Sequence, residues 1–356
     1  MTESAGPLPA LLPYRFSSIP RGKARDMVTV QAERAAAAIA RSIVWDNHAC
    51  MPLRPQDETF LPQLERAAAS GVNVIGINVG FGEQTIEDHV RMLAHFRHWV
   101  RGRPERYLLV ETAADALRAK REGRLGIFFD IEGAAAIDDQ LSLIATYYDL
   151  GVRWMLIAYN RNNRVGGGCL DRDEGLTEFG RAVIDEMERV GMVLCCSHTG
   201  ERTALEAIAY ARNPPILSHS NPAALWEHPR NVRDRVIEAC AAKGGVIGIN
   251  GVGQFLGRND TRSATVARNV DYVARLVGTS HVALGLDYVF DELELAEYLK
   301  KMPATFPNGA AEPCDFVRPE QLPEIAAELL ALGYGHEDLE KILGGNWLRV
   351  AQTVWK

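Results

Sequence analysis

Short apolar runs rich in β-branched residues recur along the chain at 42–48, 72–79, 126–132, 154–159, 192–198, 215–219, 245–250 and 281–287. Runs of this length bounded by turn residues read as buried strands. Most intervals between them carry apolar positions at helical spacing. Ile86, Val90, Leu93 and Val100 make one stripe, and Phe179, Val183, Met187 and Val190 another. Thr112-Ala-Ala-Asp115 reads as a capping box for a helix that closes at Gly123, and Thr177 as the N-cap of a later one. Strands that alternate with helices pair in parallel through right-handed crossovers. Eight such units predict an α/β fold, a closed (β/α)8 barrel of the TIM type, with an open doubly wound sheet as the weaker alternative.

The rhythm begins only at Ser42. Residues 1–22 hold four prolines and no periodicity, which suits an arm or lid, and the alanine-rich stretch 28–41 suits a helix. The expected organisation is therefore an arm and helix over 1–41 and a single barrel domain over 42–356. Two stretches interrupt the barrel: 161–174, with Gly166, Gly167 and Gly168, and a long insertion at about 291–319. Both follow strand carboxyl ends, so both are expected over the active face.

Barrels place their chemistry where strands end. Two of the runs end in the same pair, Ser197-His198 and Ser218-His219. The first run ends with Asp46, His48 and Cys50 on one side by alternation, the third with Asp130 and Glu132, the fourth with Tyr159-Asn160, and the eighth with Asp287. Imidazoles and carboxylates converging on one rim form the ligand set of zinc hydrolases, in which an open coordination position activates water. A lone histidine at a strand end is more often structural; His48, His198 and His219 differ because three strands bring them together. His89, His95 and His98 fall on one predicted helix and are read as surface groups. Cys195 and Cys196 read as core residues, one of them facing the helices. Asp46 and Asp130 either orient ligands or are satisfied by backbone. The glycines at 166–168 lack the strand-to-helix context of a phosphate cradle.

Composition narrows the partners. Lys plus Arg number 39 against 46 Asp plus Glu, a net charge of −7, with no basic block for nucleic acid or an anionic membrane. A small-molecule substrate is the remaining class. Six cysteines without a CxxC pair indicate free thiols in a reducing compartment. No apolar run reaches about 18 residues and the start lacks the pattern of a secretory signal, so the cytoplasm is expected.

From about Ser42 onward the sequence resembles the membrane (renal) dipeptidase family of zinc peptidases. The matching stretches run in order: Trp45-Asp-Asn-His48, Asp130-Ile-Glu132-Gly, Gly175-Leu-Thr-Glu-Phe-Gly180, Cys196-Ser-His198, Leu217-Ser-His219-Ser, Arg230-Asn-Val, Gly285-Leu-Asp287 and Ile342-Leu-Gly-Gly-Asn346-Trp-Leu-Arg-Val. The resemblance implies a (β/α)8 barrel with one or two zinc ions per chain. It implies that Glu132 bridges the metals, that His198 and His219 hold one, and that His48 helps hold the other. A metal-activated hydroxide would cleave a dipeptide or small amide, Asp287 would carry the proton, and Arg230 would bind the substrate carboxylate. It also implies a possible homodimer, to which the apolar tail 347–355 would contribute unless it completes the last helix.

Two positions depart from the family pattern. The His-x-Asp ligand pair of the first strand is His48-x-Cys50 here, so Cys50 is either a thiolate ligand or a neutral thiol that leaves the first site weak or empty. The family's Thr-His-Asn on the fourth strand is Ala158-Tyr159-Asn160, which offers the Tyr159 hydroxyl, in place of an imidazole, to the substrate carbonyl. Alternatives are a one-metal amidohydrolase acting on an N-acylated amino acid or cyclic imide, and a non-catalytic binding protein on the same barrel.

Overall fold

In a computed structural model, which describes residues 21–303 and 314–356, each of the eight apolar runs contains a strand. The strands are β1 (Trp45–Cys50), β2 (Val74–Phe81), β3 (Tyr107–Leu109), β4 (Leu125–Glu132), β5 (Val152–Leu156), β6 (Val193–Cys195), β7 (Ile216–Leu217), β8 (Val246–Ile249), β9 (Val282–Leu284) and β10 (Tyr288–Val289). All pair in parallel, in the order β1-β2-β4-β5-β6-β7-β8-β9, and the barrel closes where Asp46 of β1 meets Leu284 of β9. This is a TIM barrel.

Two strands lie outside the eight runs. β3 is a three-residue rung beside the start of β4, too short and too closely flanked by charge to stand out as a run. β10 continues β9 after a break at Asp287, whose backbone is left-handed with φ 57°. The eighth run thus holds β9 and ends at this kink, with β10 beyond it.

The interior is filled at the amino-terminal ends of the strands. Trp45, Val74, Val193, Ile216 and Val246 open their strands, Trp154 follows two residues into its own, and they pack with Phe128 and the last helix, Asn346–Val354. Trp347, Val350, Ala351 and Val354 of that helix are buried, the Trp347 indole donates to the Leu284 carbonyl at 2.9 Å, and Trp355 packs on Trp45 at 5.7 Å. The apolar tail thus completes the last helix and closes the barrel floor. With the floor plugged, the carboxyl ends stay open for polar groups.

Helix capping follows the sequence closely. Thr112 and Asp115 form the capping box, Gly123 closes that helix in a left-handed conformation, and Thr177 caps Glu178–Val190. Cys196 packs among the helices, whereas Cys195 faces inward with Sγ 3.0 Å from Ser218 Oγ.

One helix is phased differently from the expected stripe. In Ile86–Arg101 the buried face is His89, Met92, Leu93, Phe96, Trp99 and Val100, and Val90 is 39% exposed. Val90 lies about 100° round the helix from His89, so the two cannot both face the barrel. His89, read as a surface group, is buried instead: its ring occupies the space that the missing side chain of Gly80 leaves, and its Nδ1 donates to the Thr85 carbonyl at 2.8 Å. Burial lowers its pKa and keeps it neutral.

The helix expected at 28–41 runs from Arg21 to Arg41 and packs on Leu322–Ala331. The arm, apart from residues 21 and 22, lies outside the described residues, as does 304–313 of the insertion. The insertion's described part carries a helix, Glu292–Lys301, beside the barrel mouth. Among the described residues no helix is long and apolar enough to cross a membrane.

Candidate metal centre

Three imidazoles meet at the open end, each held from behind. His48, on β1, is fully buried with Nδ1 3.2 Å from both carboxylate oxygens of Asp130, and Asp130 accepts from the Asn78 amide at 3.1 Å. Asp130 therefore orients a ring, while Asp46 is satisfied by backbone, accepting from the Leu286 N–H at 2.8 Å. Two of the readings left open in the sequence thus apply to different residues.

His198 follows β6 with φ 60°, and Asn160 follows β5 with φ 58°. A non-glycine residue in this left-handed region is uncommon and marks a place where tertiary structure overrides backbone preference. The two turns bring Asn160 Oδ1 to 2.7 Å from His198 Nδ1. An amide oxygen only accepts, so Nδ1 carries the proton and Nε2 is left with its lone pair. His219 Nδ1 lies 2.7 Å from Ser218 Oγ. The Ser218 carbonyl is gripped from two sides, since a Cβ on either Gly248 or Gly285 would collide with it.

With every Nδ1 engaged outward, the Nε2 atoms point inward onto one carboxylate oxygen. Glu132 Oε1 is 3.0 Å from His219 Nε2, 3.2 Å from His198 Nε2 and 3.6 Å from His48 Nε2. It makes no hydrogen bond among the described residues despite being buried. His198 Nε2 and His219 Nε2 stand 3.0 Å apart. Lone pairs and a buried carboxylate crowded this way lack a positive charge between them, and a divalent cation fits that need.

A second donor group shares His48. Cys50 Sγ is 3.6 Å from His48 Nε2 and 3.5 Å from Asp287 Oδ1, and Asp287 Oδ1 is 3.3 Å from the same ring nitrogen. In each triad, His48 with Glu132 and His219 and His48 with Cys50 and Asp287, the donor atoms lie within 4.8 Å of one another. Imidazole, carboxylate and thiol together suit a borderline cation such as zinc. Asp287, expected as a proton carrier, thus stands among the potential donors, with Oδ2 held by the Asn250 amide at 2.9 Å. Asn250 closed a predicted strand but received no role, although its place at a strand end was the available signal.

Electrostatics follow from burial. Burial pushes Glu132 up to about 8 against the opposing charge of His48. It pulls His198 and His219 far down, helped by the positive charges of Arg230 and His48. His48 moves the other way, because the charges of Asp130 and Glu132 outweigh its burial. The Cys50 thiol is pushed up by burial and by Asp287. Burial acts to raise Asp287 too, but its bond to His48 and the charges of His48 and Arg230 hold it below the usual carboxylate range.

These groups open onto a cleft of about 640 Å³. Arg230, 4% exposed, reaches its wall with Nη2 donating to the His219 carbonyl at 2.8 Å and Nη1 to Ser220 Oγ at 3.4 Å. Among the described residues its Nε has no partner and no carboxylate pairs with it. Tyr159 stacks on His198 at 4.2 Å; burial and the Glu132 and Asp287 carboxylates raise its pKa well above the ordinary value and keep the phenol protonated. All the sequence-derived site residues, His48, Cys50, Glu132, Tyr159, Asn160, His198, His219, Arg230 and Asp287, therefore gather at one end of the barrel.

The family model described as "Membrane dipeptidase (Peptidase family M19)" matches residues 33–356. A Klebsiella pneumoniae protein described only as uncharacterized, from the pqqA 5′ region, is 32% identical over 263 residues, 70% of this chain and 90% of its own. An uncharacterized dipeptidase of Schizosaccharomyces pombe is 35% identical over 190 residues, 50% of this chain and 45% of its own. Among solved structures, an amidohydrolase from Pseudomonas aeruginosa superposes with a TM-score of 0.82 at 27% identity, covering 90% of this chain and 99% of that one. A metallo peptidase from Rhodobacter sphaeroides, liganded with a phosphinate mimic of L-Ala-D-Ala, shares the fold with a TM-score of 0.71 at 22% identity, over 88% and 100% of the two chains. The chain belongs to the membrane dipeptidase family, peptidase family M19.

Proposed function

We propose that this metal-dependent dipeptidase-like hydrolase cleaves dipeptides with a free carboxylate at a centre of two zinc ions. The carrying observation is Glu132 Oε1, buried, without a hydrogen bond, and facing three imidazole nitrogens beside a second donor group. Glu132, His198 and His219 would hold one ion, and His48 with Cys50 the other. Bound there, the ions would lower the pKa of water and polarise the scissile carbonyl.

The remaining work falls to the chain's own side chains. Arg230, a buried guanidinium without an acidic partner among the described residues, receives the substrate carboxylate and fixes the register of the amide. Asp287 is ionised at neutral pH and anchored through Oδ2 by Asn250, so Oδ1, which faces His48 Nε2 and the Cys50 thiol, is the oxygen that takes a proton from the attacking water and passes it to the leaving amine. Tyr159, held protonated and stacked on His198, donates to the carbonyl oxygen as charge develops there. Asn160 fixes the His198 ring. Six free thiols support a reducing compartment, and we place the protein in the cytoplasm.

Hydrolysis of an Xaa-Ala dipeptide and of its carboxamide, before and after chelation, tests this reading. Chelation should abolish turnover and zinc restore it, and the carboxamide should lose at least about tenfold in kcat/KM with its anchor. Asp287→Asn should lower kcat by about 10²–10⁴-fold. Activity indifferent to chelator, or equal use of the carboxamide, would sink it. One observation favours a second reading: Cys50, whose thiol is pushed toward the neutral form, suits a single-ion enzyme acting on another amide, such as an N-acylated amino acid.

A further inference from the structure

The cleft has two unlike walls, separated by the donors. In the closed order β1-β2-β4-β5-β6-β7-β8-β9, β2 and β7 lie four strands apart and so face each other across the barrel. Arg230 is in the loop after β7, with the Phe255 ring 5.7 Å from its guanidinium. Phe81 ends β2 opposite. Its ring lies 5.5 Å from Tyr159 and meets Tyr298, from the helix Glu292–Lys301, edge-on at 5.2 Å and 79°. Leu53 and Leu295 extend this apolar surface along the same cleft.

Two acids near that wall, Asp291 and Glu294, are already engaged. Arg54 pairs with Asp291 at 2.9 Å and with Glu294 at 3.2 Å, and the other Glu294 oxygen accepts from the Leu53 N–H at 3.1 Å. Across the cleft, Glu227 is tied to Arg233 at 2.7 and 2.8 Å. Arg54, Asp291 and Glu294 thus neutralise one another, and a side chain entering between Phe81, Tyr159 and Tyr298 meets aromatic carbon.

A dipeptide has its carboxylate on one side of the scissile bond and the side chain of its first residue on the other. With the carboxylate on the β7 side and the amide carbon at the donors, that first side chain reaches the β2 side. The geometry points to Phe81, Tyr159 and Tyr298 as a specificity wall that selects dipeptides whose first residue is aromatic or large and aliphatic. This rests on the dipeptidase reading above. Tyr298 is its specificity-determining element from outside the barrel: it comes from the insertion and takes no part in holding metal or moving protons. Its ring is what the substrate meets, because aromatic edges and faces reward apolar area.

The test is a series with alanine as second residue, Gly-Ala, Leu-Ala, Phe-Ala and Lys-Ala, hydrolysed by zinc-loaded wild type, Tyr298→Ala and Tyr298→Phe. Phe-Ala and Leu-Ala should exceed Gly-Ala and Lys-Ala by about tenfold or more in kcat/KM, mainly through KM. Tyr298→Ala should erase the preference by bringing Phe-Ala and Leu-Ala down to the level of Gly-Ala, with an unchanged melting temperature showing that the variant is folded; Tyr298→Phe should retain it. Equal rates across the series, or a preference for Lys-Ala, would overturn the inference. Calorimetric binding of the four dipeptides to the protein as purified separates the two layers. If nothing is hydrolysed the dipeptidase reading fails, yet tighter binding of Phe-Ala would still support the wall and equal binding would refute it.

Discussion

The most consequential single residue is Cys50. It occupies the place of a carboxylate in the family's metal pair, 3.6 Å from His48 Nε2, and burial, aided by the Asp287 charge, pushes its thiol toward neutrality. Only a cation can reverse that, since a metal deprotonates a coordinating thiol outright. If Cys50 is a ligand, zinc content measured by elemental analysis should fall from two ions per chain to one in Cys50→Ala, and cobalt-loaded wild type should show a sulfur-to-cobalt charge-transfer band that Cys50→Asp lacks. One ion in both proteins, with no such band, would leave the second donor group empty and favour the single-ion reading. At this scale the sequence was legible wherever a reactive type stood near the carboxyl end of an apolar run, as His48, Glu132, His198 and His219 do. Groups that act through a neighbour were harder to see. Asn78, Ser218 and Asn250 are common polar residues, and only the closed barrel shows that they fix Asp130, His219 and Asp287.

Among the elements, legibility tracked local chemistry. A capping box is written in four consecutive residues, so Thr112 and Asp115 announced their helix directly. Thr112→Ala should therefore cost about 1 kcal/mol, read as a lowered denaturation midpoint with unchanged turnover, and Thr112→Ser should be nearly silent; an equal loss in both would mean that the methyl group, not the cap, matters. Tertiary facts left weaker marks. The phase of Ile86–Arg101 depends on a pocket over Gly80 that no local pattern reveals, so His89 was misplaced on the surface and Val90 in the core. The strand terminal regions followed the same logic. Ser197-His198 and Ser218-His219 read as strand, but β6 and β7 stop earlier, and the histidines stand in turns whose left-handed or carbonyl-pinned backbone aims them inward.

Across the whole molecule, the barrel divides its interior into a packed floor and a polar mouth, and the mouth is where the fold is least self-sufficient. Large apolar side chains and the helix Asn346–Val354 fill the amino-terminal half, whereas the opposite half buries carboxylates and imidazoles crowded against one another around Glu132 Oε1, which makes no hydrogen bond among the described residues. The donors come from β1, β4, the turns after β6 and β7, and the kink between β9 and β10, segments separated by up to 239 residues from His48 to Asp287. A cation bound by them ties opposite sides of the barrel together only in the folded chain, so binding is linked to folding. Metal at 100 times its dissociation constant should add about 2.7 kcal/mol to stability. Chelation should therefore lower the melting temperature, added zinc should restore it in a concentration-dependent way, and Glu132→Gln should flatten that dependence. Because the floor is packed independently of the donors, the chelated protein should still unfold cooperatively. A chelated protein that melts broadly would show instead that the cation organises the barrel as a whole, and a melting temperature blind to both chelator and zinc would remove the metal from the folded state altogether.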